Sequence, residues 1–396
     1  MITPELYEEI KKENCVIFAG AGISTEGGGY SKPTLYDFIR KECGFPSDII
    51  PSFPELMQRY CDIKDGGKKN LLIRQIIERI ESFSDEGEKE IKTTFSHREI
   101  ARNPFFRIIV TTNWDPFFER KLNVLVPVVE DRDIPFWDDK KRQVLKIHGC
   151  VTRPYTMIIT QNDYANLIAE KMHSPIFTKL KDLMATKTFL FIGYSMRDPN
   201  IKMLFSDLSK SLGEFSRLSY AVDSDPSKET ISEWNKNGVR IINANAIAFL
   251  RDLNEWLVEE KLIPDPDLVD CFQCQLNGIY GIHQRDTENQ DDKFLSTMYQ
   301  DGLIHELETI LTGSKYGMKI SDLRDRLKQQ RSSMRRLERL YDRSERDEKK
   351  SHNQETKDQE QTRQMNIVIE IAYYSGRIEV LSRFLKGVKE LIPTEF

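Results

Sequence analysis

Apolar residues along this chain fall into short, nearly unbroken runs separated by longer stretches in which they recur every three or four positions. The runs read as buried strands, because four or five consecutive apolar residues bounded by glycine or polar residues are too short for a core helix. They occupy 15–19, 108–112, 144–147, 157–160, 189–192, 218–222 and 239–242. The intervening stretches read as helices. Thr3 is an expected N-cap with Pro4 in the first turn. Further helices are expected near 163–185, 201–212, 228–237 and 246–260. Between the first two strands the pattern is helical only, with Leu71, Leu72, Ile76, Ile77, Ile80 and Phe83 on one stripe, so residues 34–100 read as an inserted helical module. Strands alternating with helices predict an α/β fold: a Rossmann-like parallel sheet covered on both faces.

The strand signal stops near Leu262-Ile263-Pro264-Asp265-Pro266. The expected organisation is a domain over 1–262 followed by an all-helical domain over 263–396. Ile320, Leu323, Leu327, Met334, Leu337 and Tyr341 lie at heptad spacing, with Gln330 interrupting, which predicts a packed seam within the chain or between chains. Arg331, Arg335, Arg336, Arg339, Arg343 and Arg346 share this segment, but acidic neighbours offset them, so a solvated face is expected rather than a nucleic-acid surface. The polar stretch 348–363 reads as a loop or frayed helix, and a last helical pair as broken near Ser375-Gly376.

Composition changes this picture little. With 39% hydrophobic and 31% charged residues and a net charge of −5, the chain has material for a large core and no global pull towards nucleic acid or anionic membranes. No apolar run approaches the roughly 18 residues of a membrane span, and residues 1–5 carry no leader pattern. Six cysteines at irregular spacings suit a reducing compartment, so a cytoplasmic protein is expected. Cys271-x-x-Cys274 is half a zinc pattern with no second pair after it, and no metal site is expected.

The polar residues that matter follow the strands directly. Asn113 and Asp115 follow the second strand, His148 the third, and Gly193-Tyr194-Ser195 the fifth, while Gly20-Ala21-Gly22-Ile23-Ser24-Thr25 follows the first. In a parallel sheet these strand ends open onto one crevice, where ligands bind. Glycines let a backbone approach a pyrophosphate closely, and the start of a helix favours an anion. A dehydrogenase is disfavoured because Thr25 stands where the third glycine of the dinucleotide fingerprint belongs and no strand ending in an acid follows. A nucleoside triphosphatase is disfavoured because no Gly-Lys-Ser/Thr follows the loop.

Taken in order, Gly20-Ala21-Gly22-Ile23-Ser24-Thr25, Thr111-Thr112-Asn113-Trp114-Asp115, Lys146-Ile147-His148-Gly149 and Gly193-Tyr194-Ser195 resemble a sirtuin-type NAD-binding domain over residues 1 to about 260. The departures are as informative. The paired Cys-x-x-Cys zinc motifs of protein-deacylating sirtuins are missing after Gly149, where Cys150 stands alone. Leu35-Tyr36-Asp37-Phe38 lacks the arginine of the family's Asp-Phe-Arg, and Thr112 replaces a glutamine. These features resemble the zinc-less bacterial branch of NAD hydrolases acting in anti-phage defence.

The resemblance implies roles. Asn113 holds the ribose hydroxyls or the attacking water, and His148 is the general base. Gly20, Ala21, Gly22, Ser24 and Thr25 cradle the phosphates; Asp115 contacts the nicotinamide end or orders its loop; Gly193 and Ser195 contact the adenosine side. Asp223, ending its strand, is placed at the adenine ribose. NAD is then a substrate rather than a resident cofactor, and no zinc is expected. The alternatives are an NAD-dependent protein deacylase and a non-catalytic NAD sensor. Because unrestrained NAD loss kills a cell, restraint is expected from homo-oligomer assembly, from the glycine-rich loop 26–30, or from a partner such as a hexameric ATPase.

Overall fold

Five consecutive apolar residues can be buried on both faces only in the middle of a covered sheet, and that is where β1 (Cys15–Ala19) lies, every residue buried. The computed structural model describes residues 2–25, 34–45, 49–81, 95–167, 173–194, 199–288 and 293–389. β1 is flanked in parallel by β2 (Ile108–Thr111) and by β4 (Thr188–Ile192), with β3 (Gln143–Lys146) outside β2. On the other side β5 (Ser219–Asp223) and β6 (Val239–Asn243) complete the sheet, in the order β3-β2-β1-β4-β5-β6. β3 and β6 are the edge strands; β6 is only partly buried, at Val239 and Ile242, where β1 and β4 are buried throughout. Phe18, Phe189, Phe191, Phe205 and Trp234 fill the principal core beside the sheet.

The chain separates into two compact units, Met1–Asn254 and Glu255–Phe396. In the first, α1 (Pro4–Lys11) begins where expected, the Thr3 hydroxyl accepting from the Leu6 amide. A single turn, α2 (Gly22–Thr25), leaves β1. The inserted module follows as α3 (Leu35–Glu42), α4 (Phe53–Lys64), α5 (Asn70–Glu81) and α6 (Phe95–Arg102). Ile39, Leu56, Met57, Tyr60, Leu72 and Ile76 form its own core. This unit also holds α7 (Phe117–Leu122), α8 (Gln161–Asn166), α9 (Pro175–Thr186), α10 (Pro199–Leu212) and α11 (Lys228–Lys236), and α12 (Ala246–Glu259) begins in it.

Two expectations for this unit are corrected. Residues 157–160 are not a strand: the segment is extended and buried, but it joins no ladder. Its unbroken apolar run has another cause, since Ile158 packs into the principal core while Met157 and Ile159 pack against the helical module. The helix expected over 163–185 is two helices, α8 and α9, the second restarting at Ser174-Pro175 with proline in its first turn.

The second unit holds α13 (Pro266–Glu288), α14 (Phe294–Lys315), α15 (Ile320–Lys350) and α16 (Gln354–Lys386). The heptad seam faces inward, with Leu323, Gln330 and Leu337 buried in the α15–α16 pair. The polar stretch 348–363 is helical on both sides of a short turn. There Glu348 accepts from Gln361 and Gln364 at 2.7 and 2.8 Å, so hydrogen bonds replace apolar rungs. The expected break at Ser375-Gly376 does not occur. Gly376 serves a close crossing instead: a Cβ there would stand 2.2 Å from the Tyr299 carbonyl oxygen, and one on Gly302 would stand 2.0 Å from that of Tyr373. Helix propensity alone favours Gly376→Ala by about 1 kcal/mol. The collision is with backbone, so we expect a net loss of about 2 kcal/mol in urea unfolding; a gain would mean the helices cross more loosely.

Candidate active site

All six strands run the same way, so their carboxyl ends share one edge of the sheet. Along that edge stand His148 beyond β3, Asn113 beyond β2, Gly20 beyond β1, Gly193 beyond β4 and Asp223 at the end of β5. The strand order reverses between β1 and β4, the position where parallel sheets open a ligand crevice. From β3 to β5 the edge spans four strand spacings, about 19 Å.

At the reversal the two glycine loops interlock. The Gly20 amide donates to Ile192 O at 3.1 Å, and the Gly22 amide to Gly193 O at 2.8 Å. A Cβ on Gly20 would lie 2.5 Å from Gly193 O, and one on Gly193, whose φ is +61°, would lie 2.1 Å from the Ile23 nitrogen. The glycines are therefore required by loop-to-loop contact. The Ile23 and Ser24 amides donate to Gly20 O and Ala21 O. Three amides of the expected phosphate cradle, those of Gly20, Gly22 and Ser24, are thus engaged within the protein, as is that of Ile23 between them. The Ser24 hydroxyl is fully buried and makes no hydrogen bond among the described residues. Ala21 is exposed at the tip. Thr25 closes α2; its side chain, Ser195 and the loop 26–30 lie outside the described residues.

Asn113 is held at two points, one of them through an anchored threonine. Its amide donates to Thr111 Oγ1 at 3.0 Å, that hydroxyl donates to Ala19 O at 3.0 Å, and Asn113 Nδ2 donates to Gly20 O at 3.3 Å. The carboxamide is thereby oriented, and its Oδ1 is buried with no donor among the described residues. A buried acceptor without a donor is costly, and a bound hydroxyl or water relieves that cost.

His148 is 4% exposed. Its carbonyl accepts from the Ile158 amide at 3.0 Å, and its ring meets the Tyr164 ring edge-on at 5.3 Å between centroids. Gly149 (φ +83°) turns the chain where a Cβ would stand 2.4 Å from Thr156 O. Tyr164 sits on α8, whose Asp163 is bound by Lys69 Nζ at 2.7 Å, and the Phe53 ring of the inserted module lies tilted against that of Trp114, 6.0 Å between centroids. The module thus touches both sides of the candidate site.

Asp115 lies deeper. Its Oδ1 accepts from the amide of Phe117, the first residue of α7, at 3.2 Å, and burial pushes its carboxyl above the usual range. Behind it Lys146 is fully buried; its Nζ donates to the Asp115 carbonyl and pairs with Glu119 at 3.1 Å. Sequence reasoning passed over this pair, although a lysine amid Val144, Leu145 and Ile147 was the signal. Asp223 is half-buried and its carboxylate accepts from the Asp225 amide at 3.1 Å, two strands from β1. The structure therefore brings Ser24, Asn113 and the glycine loops together, sets His148 on one flank and leaves Asp223 on the other.

Cys271 and Cys274 lie in the second unit on α13, half-buried and exposed respectively. Among the described residues no group of three or more His, Cys, Asp or Glu could hold a metal ion, and no helix is long and apolar enough to cross a membrane.

Residues 107–242 match the SIR2-like domain family, which agrees with the likeness read from the strand-end motifs. The chain is 30% identical over 223 residues to NAD(+) hydrolase ThsA of Bacillus cereus (strain MSX-D12), a span of 55% of this chain and 44% of that protein. It is 30% identical over 220 residues to NAD(+) hydrolase ThsA of Enterococcus faecium, covering 54% and 44%. Defense-associated sirtuin 2 of Bacillus subtilis matches at 26% over 290 residues, covering 67% of this chain and 26% of the relative. The chain spans less than half the length of these relatives.

Proposed function

We propose that this chain, which carries a SIR2-like domain, hydrolyses NAD to nicotinamide and ADP-ribose. The observation that carries the reading is the Asn113 carboxamide, fixed through Nδ2 to Gly20 O with Oδ1 buried and undonated beside the glycine loops. The names of the ThsA relatives support the substrate. Cleavage breaks the bond between nicotinamide nitrogen and ribose carbon, and water supplies the new oxygen. In this reading Asn113 Oδ1 accepts a hydrogen bond from the ribose hydroxyls or the incoming water, and His148 takes the proton that water gives up. Ser24 Oγ offers a donor to a phosphate oxygen, Gly193 and Ser195 line the adenosine side, and Asp223 receives the adenine ribose at the far end. Asp115 keeps its loop in order from below.

We further place the activity in the cytoplasm, as NAD depletion during anti-phage defence, restrained by assembly or by a partner ATPase. The name of the Bacillus subtilis relative supports the defence role. The test is incubation of the chain with NAD, with and without an acylated lysine peptide, followed by chromatography. Equal amounts of nicotinamide and ADP-ribose, unaffected by the peptide, are expected. An acylated ADP-ribose would make the protein a deacylase, and NAD bound but never consumed would make it a sensor.

A further inference from the structure

Lys146 ends β3 opposite Thr111 of β2, two residues before His148. Its side chain is fully buried and runs under the neighbouring strand end. There Nζ donates to the carbonyl of Asp115, two residues after Asn113, and pairs with Glu119 Oε1 on α7 at 3.1 Å. One side chain therefore ties the chain segment of Asn113 to that of His148.

We infer that Lys146 is a positioning residue that fixes Asn113 relative to His148; in what it predicts for turnover, this rests on the hydrolase reading above. Stability alone does not account for a lysine here. Taking an ammonium and a carboxylate out of water costs more than an apolar pair of the same size, and such pairs are replaceable without loss of fold. What an apolar pair cannot do is donate to the Asp115 carbonyl. Although burial disfavours the Lys146 charge, Glu119, Cys150 and Asp115 outweigh it and hold the ammonium above its ordinary range. The charged donor is thus the favoured form in the fold. The geometry is specific in a second way: the bond goes to main chain, so it sets where the Asn113–Asp115 turn sits rather than the rotamer of one side chain.

Lys146→Met alone leaves Glu119 buried without its cation and risks unfolding, so the test is the pair Lys146→Met with Glu119→Gln in the full chain. Two readouts are taken: NAD turnover, and hydrogen exchange of the amide-bearing residues of segment 112–116 (Pro116 has no N–H) against the rest of the sheet. The expected result is a folded protein whose kcat falls about 100-fold, the scale of a misplaced catalytic geometry, with KM within about three-fold. Exchange quickens at 112–116 and nowhere else. Unchanged kcat in the folded pair would overturn the inference, as would exchange that rises evenly across the sheet, or failure of the pair to fold, since either marks Lys146 as a part of the fold alone. Should the unmodified chain consume no NAD, the hydrolase reading is what fails, and local exchange at 112–116 still decides the role of Lys146.

Discussion

His148→Ala is expected to lower NAD turnover by about 10²- to 10⁴-fold, the range in which a positioned acid or base contributes. The fold should survive. The ring is 4% exposed and makes an edge contact with Tyr164, so its loss costs packing, on the order of 1–2 kcal/mol. The turn that positions it depends on Gly149 and on the Ile158–His148 main-chain bond, both untouched by the substitution. His148→Gln separates the two contributions, because glutamine fills much of the space and keeps a polar atom but cannot take a proton at neutral pH. If both variants lose turnover alike while Tm moves by only a few degrees, the proton role holds. If His148→Gln keeps the wild-type rate, His148 is a packing residue and the base lies elsewhere. Asn113→Ala provides the companion measurement. It removes the undonated acceptor together with the bond to Gly20 O, so its loss of turnover should exceed what the loss of one hydrogen bond, about 1 kcal/mol, explains.

The strand framework was legible because the sheet is buried on both faces, which makes 15–19 and 189–192 continuous apolar runs. The same logic misread 157–160. Burial on two sides is what the pattern reports, and there the second side is the inserted module rather than a neighbouring strand. Gly376 was misread for a related reason: glycine marks either a helix end or a close approach, and the choice depends on Tyr299 and Gly302, more than seventy residues away. At the candidate site, Asn113 and His148 were visible because they follow strands immediately. That the Gly20, Gly22, Ile23 and Ser24 amides are engaged was not visible, since it depends on how two loops meet. Nor was the Lys146–Glu119 pair, which arises from the register of β3 against β2 and the start of α7.

The interlock of the two glycine loops predicts the largest loss of stability from a single methyl group. At Gly193→Ala the backbone must hold φ near +61°, a strain on the order of 1 kcal/mol, and the new Cβ meets main-chain atoms at 2.1 and 2.6 Å. Neither Ile23 N nor Gly22 C can yield without moving β1's exit, and the Gly22–Gly193 bond of 2.8 Å goes with it. A combined loss of about 3–5 kcal/mol is expected in urea unfolding of the sheet unit, in the class of exceptional single substitutions. Gly238→Ala is the control: it also sits at positive φ, +71°, but its Cβ would meet nothing within 4 Å, so it carries the backbone strain alone. The difference between the two variants isolates the contact. Equal losses would mean that the loops after β1 and β4 do not touch as described. A large difference, with NAD turnover lost in Gly193→Ala and kept in Gly238→Ala, would tie the seating of Ser24 and of the Gly20 carbonyl that anchors Asn113 to that contact.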